Sequence, residues 1–144
     1  MRVLVCGGRT FGIVPTPLTT PEVDQTALWE KAHAERDLLT KVLNELHSTD
    51  SSGAIDTIIH GGAKGADTLA NHWAYRHHVD IFVFNPRSRA KGSSGGASRN
   101  ARMIALGQPD LVLAFPGGVG TADVIGKAKE AGIPIRVIVE NEGL

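Results

Sequence analysis

The sequence predicts an α/β fold: a Rossmann-like three-layer sandwich around a five-stranded parallel sheet in the order 3-2-1-4-5. Two observations carry this. Short apolar runs alternate with segments whose apolar residues recur at helical spacing, the pattern of strands joined by right-handed helical crossovers. In addition, three of the runs end in a glycine pair. Val3-Leu4-Val5-Cys6 precedes Gly7-Gly8, Ile58-Ile59-His60 precedes Gly61-Gly62, and Leu111-Val112-Leu113-Ala114-Phe115 precedes Pro116-Gly117-Gly118. In the order 3-2-1-4-5 the chain reverses between strands 1 and 4, where open α/β sheets form their ligand crevice. The three glycine loops then lie side by side at one end of the sheet.

Taken in order, residues 2–6 read as a buried strand and residues 9–21, with Gly12, Pro15, Pro17 and Pro21, as a loop. From Glu22 to His47, the positions Leu28, Ala32, Leu39, Val42, Leu43 and Leu46 form a helical stripe, free to pack on the sheet or to form a dimer face. The polar stretch from Ser48 to Gly53 ends that helix. Residues 55–60 form the second strand, 66–78 the second helix and 79–84 the third strand. A loop rich in Gly, Ser and basic residues runs from Asn85 to Ala97, and its stretch 87–96 is either a cationic lid or a solvated loop. Ser98 is placed to cap a short helix ending near Gly107. Residues 110–115 form the fourth strand, 120–131 the fourth helix closed by Gly132, and 134–139 the fifth strand. The 144 residues are expected to form a single domain, 1–144.

Composition narrows the function. Lys plus Arg and Asp plus Glu both number 15, and the chain has only seven aromatic residues. This balance argues against general nucleic-acid or membrane-surface binding. No apolar stretch approaches the ~20 residues of a membrane span. One cysteine, Cys6, excludes an internal disulfide and a cysteine-based zinc site, and the six histidines show no metal-ligand spacing. Neither a metal nor a cofactor is expected. The chain enters a strand pattern at once, without a signal-peptide layout, and reads as a cytoplasmic protein, in the host cytoplasm if phage-encoded.

Glycine between strand and helix lets the backbone turn sharply and approach a ligand, and the helix start beyond it favours anions. A phosphorylated ligand, a nucleotide, is therefore expected on Gly7, Gly8, Gly61, Gly62, Gly65, Pro116, Gly117, Gly118 and Gly120. The spacing G-x-G-x-x-G is absent, as is G-x-x-x-x-G-K-[ST], which separates the chain from ordinary dinucleotide enzymes and P-loop NTPases. Arg9 projects from the crevice end of the first strand toward a phosphate. Lys64 either neutralises a phosphate or is solvated. Arg99 and Arg102, at i and i+3, allow two-point anion binding, and Asn100 pairs with a base edge or helps cap its helix. Asp67 and Asp123 stand at equal offsets from their glycine pairs. Both are placed in a first helical turn, either stabilising the dipole or bonding a ribose or base. Thr121 caps the fourth helix, offers its hydroxyl to a phosphate, or does both. His60 ends its strand beside Gly61 as a possible contact, and Cys6 reads as a small buried side chain.

Four motifs in order, Arg2 to Arg9, Ile59 to Asp67, Arg99 to Met103 and Ala114 to Asp123, resemble the YspA-type branch of the SLOG superfamily. That superfamily groups Rossmann-like domains related to the DNA-processing protein DprA and the LOG cytokinin-activating hydrolases. The resemblance covers almost the whole chain. It implies binding of a nucleotide or nucleotide-derived ligand, in a sensor or a sequestering module, and by analogy a homo-oligomer. Two rival functions follow from the relatives. A LOG-like phosphoribohydrolase would release base from a nucleoside monophosphate, with Asp123 or Asp67 as its acid. A DprA-like module would bind single-stranded DNA, which the neutral charge and few aromatics disfavour. LOG enzymes carry P-G-G-x-G-T-x-x-E, and here Val124 stands at the glutamate position. Asp123, one residue earlier and rotated by ~100° on a helix, does not inherit that role. The branch's usual A-A-G-P-x-R-N is Ser94-Gly95-Gly96-Ala97-Ser98-Arg99-Asn100 here, which loses the proline.

Overall fold

The computed structural model of the protein describes residues 1–14, 25–48, 54–86 and 95–140. Nine elements follow one another: β1 (Arg2–Cys6), α1 (Gln25–Ser48), β2 (Thr57–His60), α2 (Ala66–Arg76), β3 (Asp80–Val83), α3 (Gly95–Gly107), β4 (Leu111–Ala114), α4 (Val119–Glu130) and β5 (Ile135–Val137). The five strands form one parallel sheet in the order β3-β2-β1-β4-β5, the predicted architecture. The register places Val3 beside both Ile58 of β2 and, on the other side, Leu111 of β4. Strands 2 and 4 thus flank the first at the same height.

Because successive side chains of a strand point to opposite faces, β1 feeds two cores. Val3 and Val5 pack with Leu39, Val42 and Leu43 of α1 and with Trp73 of α2. Leu4 and Cys6 pack with Met103 of α3 and Val124 and Ala128 of α4. The C-terminal part of the α1 stripe, Leu39 to Leu46, therefore packs in this core. Trp73 is fully buried, and its indole N–H donates to Asn44 Oδ1 at 2.8 Å, which pins α2 to α1. His77 stacks on that indole, with ring centroids 4.3 Å apart, and its Nδ1 lies 2.8 Å from the Trp73 carbonyl. It satisfies a carbonyl in the last turn of α2.

Two helix starts differ from expectation. Helix α3 begins at Gly95, so Ser98 is an exposed helical residue rather than the N-cap. Helix α4 begins at Val119, with Gly118 at the N-cap and no side-chain capping bond, so Thr121 is not a cap but a buried residue within the first turn. At its other end Gly132 closes α4 as predicted, with φ of 73° and its amide on the Lys129 carbonyl at 3.1 Å. The positions 22–24 of the first helix, most of the 9–21 loop and residues 87–94 of the cationic stretch lie outside the described residues.

Candidate functional site

The three glycine loops are bonded to one another. The Gly8 amide donates to the Pro116 carbonyl at 2.8 Å, and the Gly8 carbonyl accepts from the amide of Ala66 at 3.3 Å. Close approach is what the glycines supply. A Cβ on Gly7 would lie 2.6 Å from the Ala66 Cβ, and one on Gly117 would lie 2.2 Å from Thr121 Oγ1 and 2.7 Å from the Gly8 nitrogen. Gly65, at φ of 83°, sits directly under the Gly8 carbonyl.

Asp67 and Asp123, alike in sequence, part company here. Gly62 and Gly65 both take positive φ, which prolongs the second loop and delays α2 until Ala66, so Asp67 stands in its first turn. The third loop has no such delay, and Asp123 is the fifth residue of α4, outside the first turn where it was expected. Asp67 is buried, and its Oδ2 accepts the amides of Gly61 at 3.0 Å and Ala63 at 3.2 Å. Burial pushes its carboxyl above the usual range, against the opposing pull of those amides, His60 and Arg99. Asp123 is held by Lys127 Nζ at 2.6 Å, one turn along α4, and by the Asn100 amide at 2.9 Å. These two bonds hold its carboxyl below the usual range. Both partners favour its ionised form.

His60 is likewise consumed by its own loop. The Gly62 amide donates to its Nδ1 at 3.0 Å, leaving the proton on Nε2, 2.8 Å from Asn71 Oδ1. Arg99 reaches across from α3. Its Nη1 donates to the Gly61 carbonyl and its Nε to Asn100 Oδ1 at 2.7 Å. Burial lowers its pKa, with Arg9 and Arg102 adding like-charge repulsion and Asp67 opposing. Asn100 is buried and bridges α3 to α4 through Asp123 and the Gly120 carbonyl.

Between these loops lies a crevice in two chambers. The inner one, of about 340 Å³, is walled by Gly7, Gly8, Gly118, Gly120 and Thr121, with Asp67, Asn100, Arg9 and Arg99 contributing polar groups. Its floor is apolar: Val5, Cys6, Met103 and Val124. The outer one, of about 910 Å³, is lined by Gly61, Gly62, Lys64, Asn85 and Gly96, and shares Arg9, Ala63 and Arg99 with the inner chamber. Ahead of Ala122, whose amide bonds the Gly118 carbonyl, the first-turn amides of α4 have no partner within the helix, as helical geometry requires. Val119, Gly120 and Thr121 carry them at the inner wall.

Five predicted residues line neither chamber: Gly65, Arg102, Pro116, Gly117 and Asp123. The first, third and fourth brace the loops. Arg102 donates to the Asn85 carbonyl at 2.8 Å instead of converging with Arg99. Sequence reasoning did not bring the apolar floor residues together at the crevice. The signal was present: Val5 and Cys6 end β1, and Met103 lies one turn beyond Arg99 on α3. Cys6 sits on this floor with its thiol pushed up to about 12, first by burial and then by Asp67. It is protonated at neutral pH and inert as a nucleophile. Among the described residues no group of three His, Cys, Asp or Glu side chains is placed to hold a metal ion, and no helix is long and apolar enough to cross a membrane.

Over residues 1–90 the sequence matches the YspA, cpYpsA-related SLOG family, and this match takes in the first two glycine loops and Asp67. The chain belongs to that family. It is a SLOG-type, nucleotide-related Rossmann-like module. It is also 33% identical over 141 residues to the Gene 61 protein of Mycobacterium phage D29, covering 93% of each chain. No solved structure matches it.

One consequence of the Asp123 geometry is measurable at once. Asp123→Asn is expected to lower stability by less than about 1 kcal/mol, since a partly exposed i,i+4 ion pair is worth only ~0.3–0.5 kcal/mol and Asn keeps the contact with Asn100. The pair is fully formed above the carboxyl's unfolded pKa and is lost as pH falls through its depressed folded value. The difference between wild type and variant in thermal melts should therefore shrink toward acid pH. A larger loss, or one that grows in acid, contradicts this assignment.

Proposed function

We propose that the inner chamber binds a nucleotide or nucleotide-derived ligand, and that the protein acts as a sensor or sequestering module rather than a hydrolase. One observation carries the reading. Arg9 and Arg99 meet the α4 N-terminus at a crevice where the single lining carboxylate among the described residues, Asp67, already serves the amides of its own loop. A phosphate there gains two guanidinium groups and the first-turn amides of α4. The base or ribose lies over Val5, Cys6, Met103 and Val124.

Hydrolysis of an N-glycosidic bond needs a carboxylate free to stabilise an oxocarbenium-like transition state or to activate water. Val124 stands on the floor at the position of the LOG glutamate, and Asp123 is turned away to Lys127. Supporting context comes from family membership and from the phage relative, which agrees with action in a host cytoplasm. A homo-oligomeric state belongs to the same proposal by analogy with the superfamily.

The test is thermal stability of the purified protein against mononucleotides, dinucleotides and their conjugates. A ligand at 100 times its Kd adds ~2.7 kcal/mol. A shift with one ligand, recovered intact after long incubation, supports the proposal. Conversion of that ligand to free base, abolished in Asp123→Asn, would replace it with the hydrolase. The absence of any shift would remove the nucleotide reading altogether.

A further inference from the structure

The inner chamber adjoins a second one of about 910 Å³, and Arg9, Ala63 and Arg99 line both. Each alone falls within the roughly 300–1,000 Å³ of an ordinary small-molecule site. A mononucleotide would therefore fill the inner chamber and leave the outer one to solvent. The two differ in chemistry. The inner floor is apolar and deeply buried, suited to a flat base. The outer chamber presents Lys64, the Asn85 side chain and the backbone of Gly61, Gly62 and Gly96, with no carboxylate among its described lining residues.

The junction is where positive charge concentrates. Arg99 is fixed there by the Gly61 carbonyl and Asn100, so its fork is oriented before any ligand arrives. Space for a side chain is absent at Gly61 and Gly62 of the outer wall. A Cβ on Gly61 would meet the Arg99 guanidinium, and one on Gly62 would lie 2.3 Å from Asn85 Oδ1. Glycine at these two positions lets Arg99 and Asn85 lie close against the backbone where the chambers adjoin.

Building on the nucleotide reading above, we propose that the natural ligand is bipartite: a nucleoside in the inner chamber, a second polar moiety such as a sugar or nucleoside in the outer chamber, and a phosphate or pyrophosphate bridge at Arg9 and Arg99. Lys64 and Asn85 recognise the second moiety. Its class is a nucleoside diphosphate conjugate or a dinucleotide.

Calorimetric titration of the full chain compares, for each of the four bases, the nucleoside monophosphate, the diphosphate, a diphosphate conjugate (ADP-ribose, GDP-mannose, CDP-choline, UDP-glucose) and a dinucleotide. For the preferred base, the conjugate or dinucleotide should bind at least about tenfold tighter than the diphosphate. Lys64→Ala and Asn85→Ala should each shrink that advantage, while melting near the wild-type temperature. Binding of conjugate and dinucleotide no tighter than the diphosphate overturns the bipartite ligand and leaves the nucleotide site standing. An advantage that survives both substitutions places the second moiety elsewhere and also overturns it. If no nucleotide of any form binds, the nucleotide reading fails, and this one with it.

Discussion

Gly65→Ala is expected to destabilise the protein by about 2–6 kcal/mol, a large share of the roughly 5–15 kcal/mol that holds a domain folded. Two effects add. At φ of 83° a residue with a Cβ sits in a sparsely populated backbone region, at ~1–3 kcal/mol. That Cβ would also lie 2.2 Å from the Gly8 carbonyl oxygen and 2.8 Å from the Arg9 carbonyl group. These are backbone atoms of the loop after β1, so relief requires moving the loop, and overpacking of this kind costs ~1–3 kcal/mol. Thermal melts should show a fall on the order of 10 °C. Gly126→Ala is the matched control. It lies in α4 with open space around its Cβ position, and alanine there should gain ~0.5–1 kcal/mol. If the two variants melt alike, the close packing of the first two glycine loops is refuted.

Arg99→Ala is expected to weaken binding of the preferred nucleotide by roughly 10- to 150-fold, the equivalent of losing charge-assisted hydrogen bonds worth ~1.5–3 kcal/mol. The side chain stands at both chambers with its fork oriented by the Gly61 carbonyl and Asn100. Arg99→Lys keeps the charge but not the planar fork, and should recover only part of the affinity. Calorimetry at saturating protein quality checks this, with melting temperature as the control for the two lost contacts. Affinity within threefold of wild type in the alanine variant would remove Arg99 from the site.

Most of the architecture was legible because it rests on few constraints. Parallel strands require crossovers, crossovers are right-handed, and glycine pairs ending three runs mark the same end of the sheet. The site was only partly legible, and Asp67 and Asp123 show why. Their offsets from the glycine pairs are identical, yet one lies in a first turn and the other a turn later, since the positive φ of Gly62 and Gly65 postpones one helix and nothing postpones the other. Backbone conformation at two glycines decides this, and no spacing rule encodes it. Arg102 illustrates a second limit. Its spacing from Arg99 places both on one helix face, but the Asn85 carbonyl, distant in sequence, captures it. Thr121 and Ser98 have cap-forming side chains and are not caps, because Gly118 and Gly95 start their helices earlier.

The segment from His60 to Asp67 spends its carboxylate and its imidazole on its own amides. Its shape is therefore fixed when the chain folds, and an arriving molecule does not have to organise it. The entropy of ordering falls once on each protein molecule rather than on every encounter. For the ligand proposed above, no slow rearrangement of this loop would separate collision from capture.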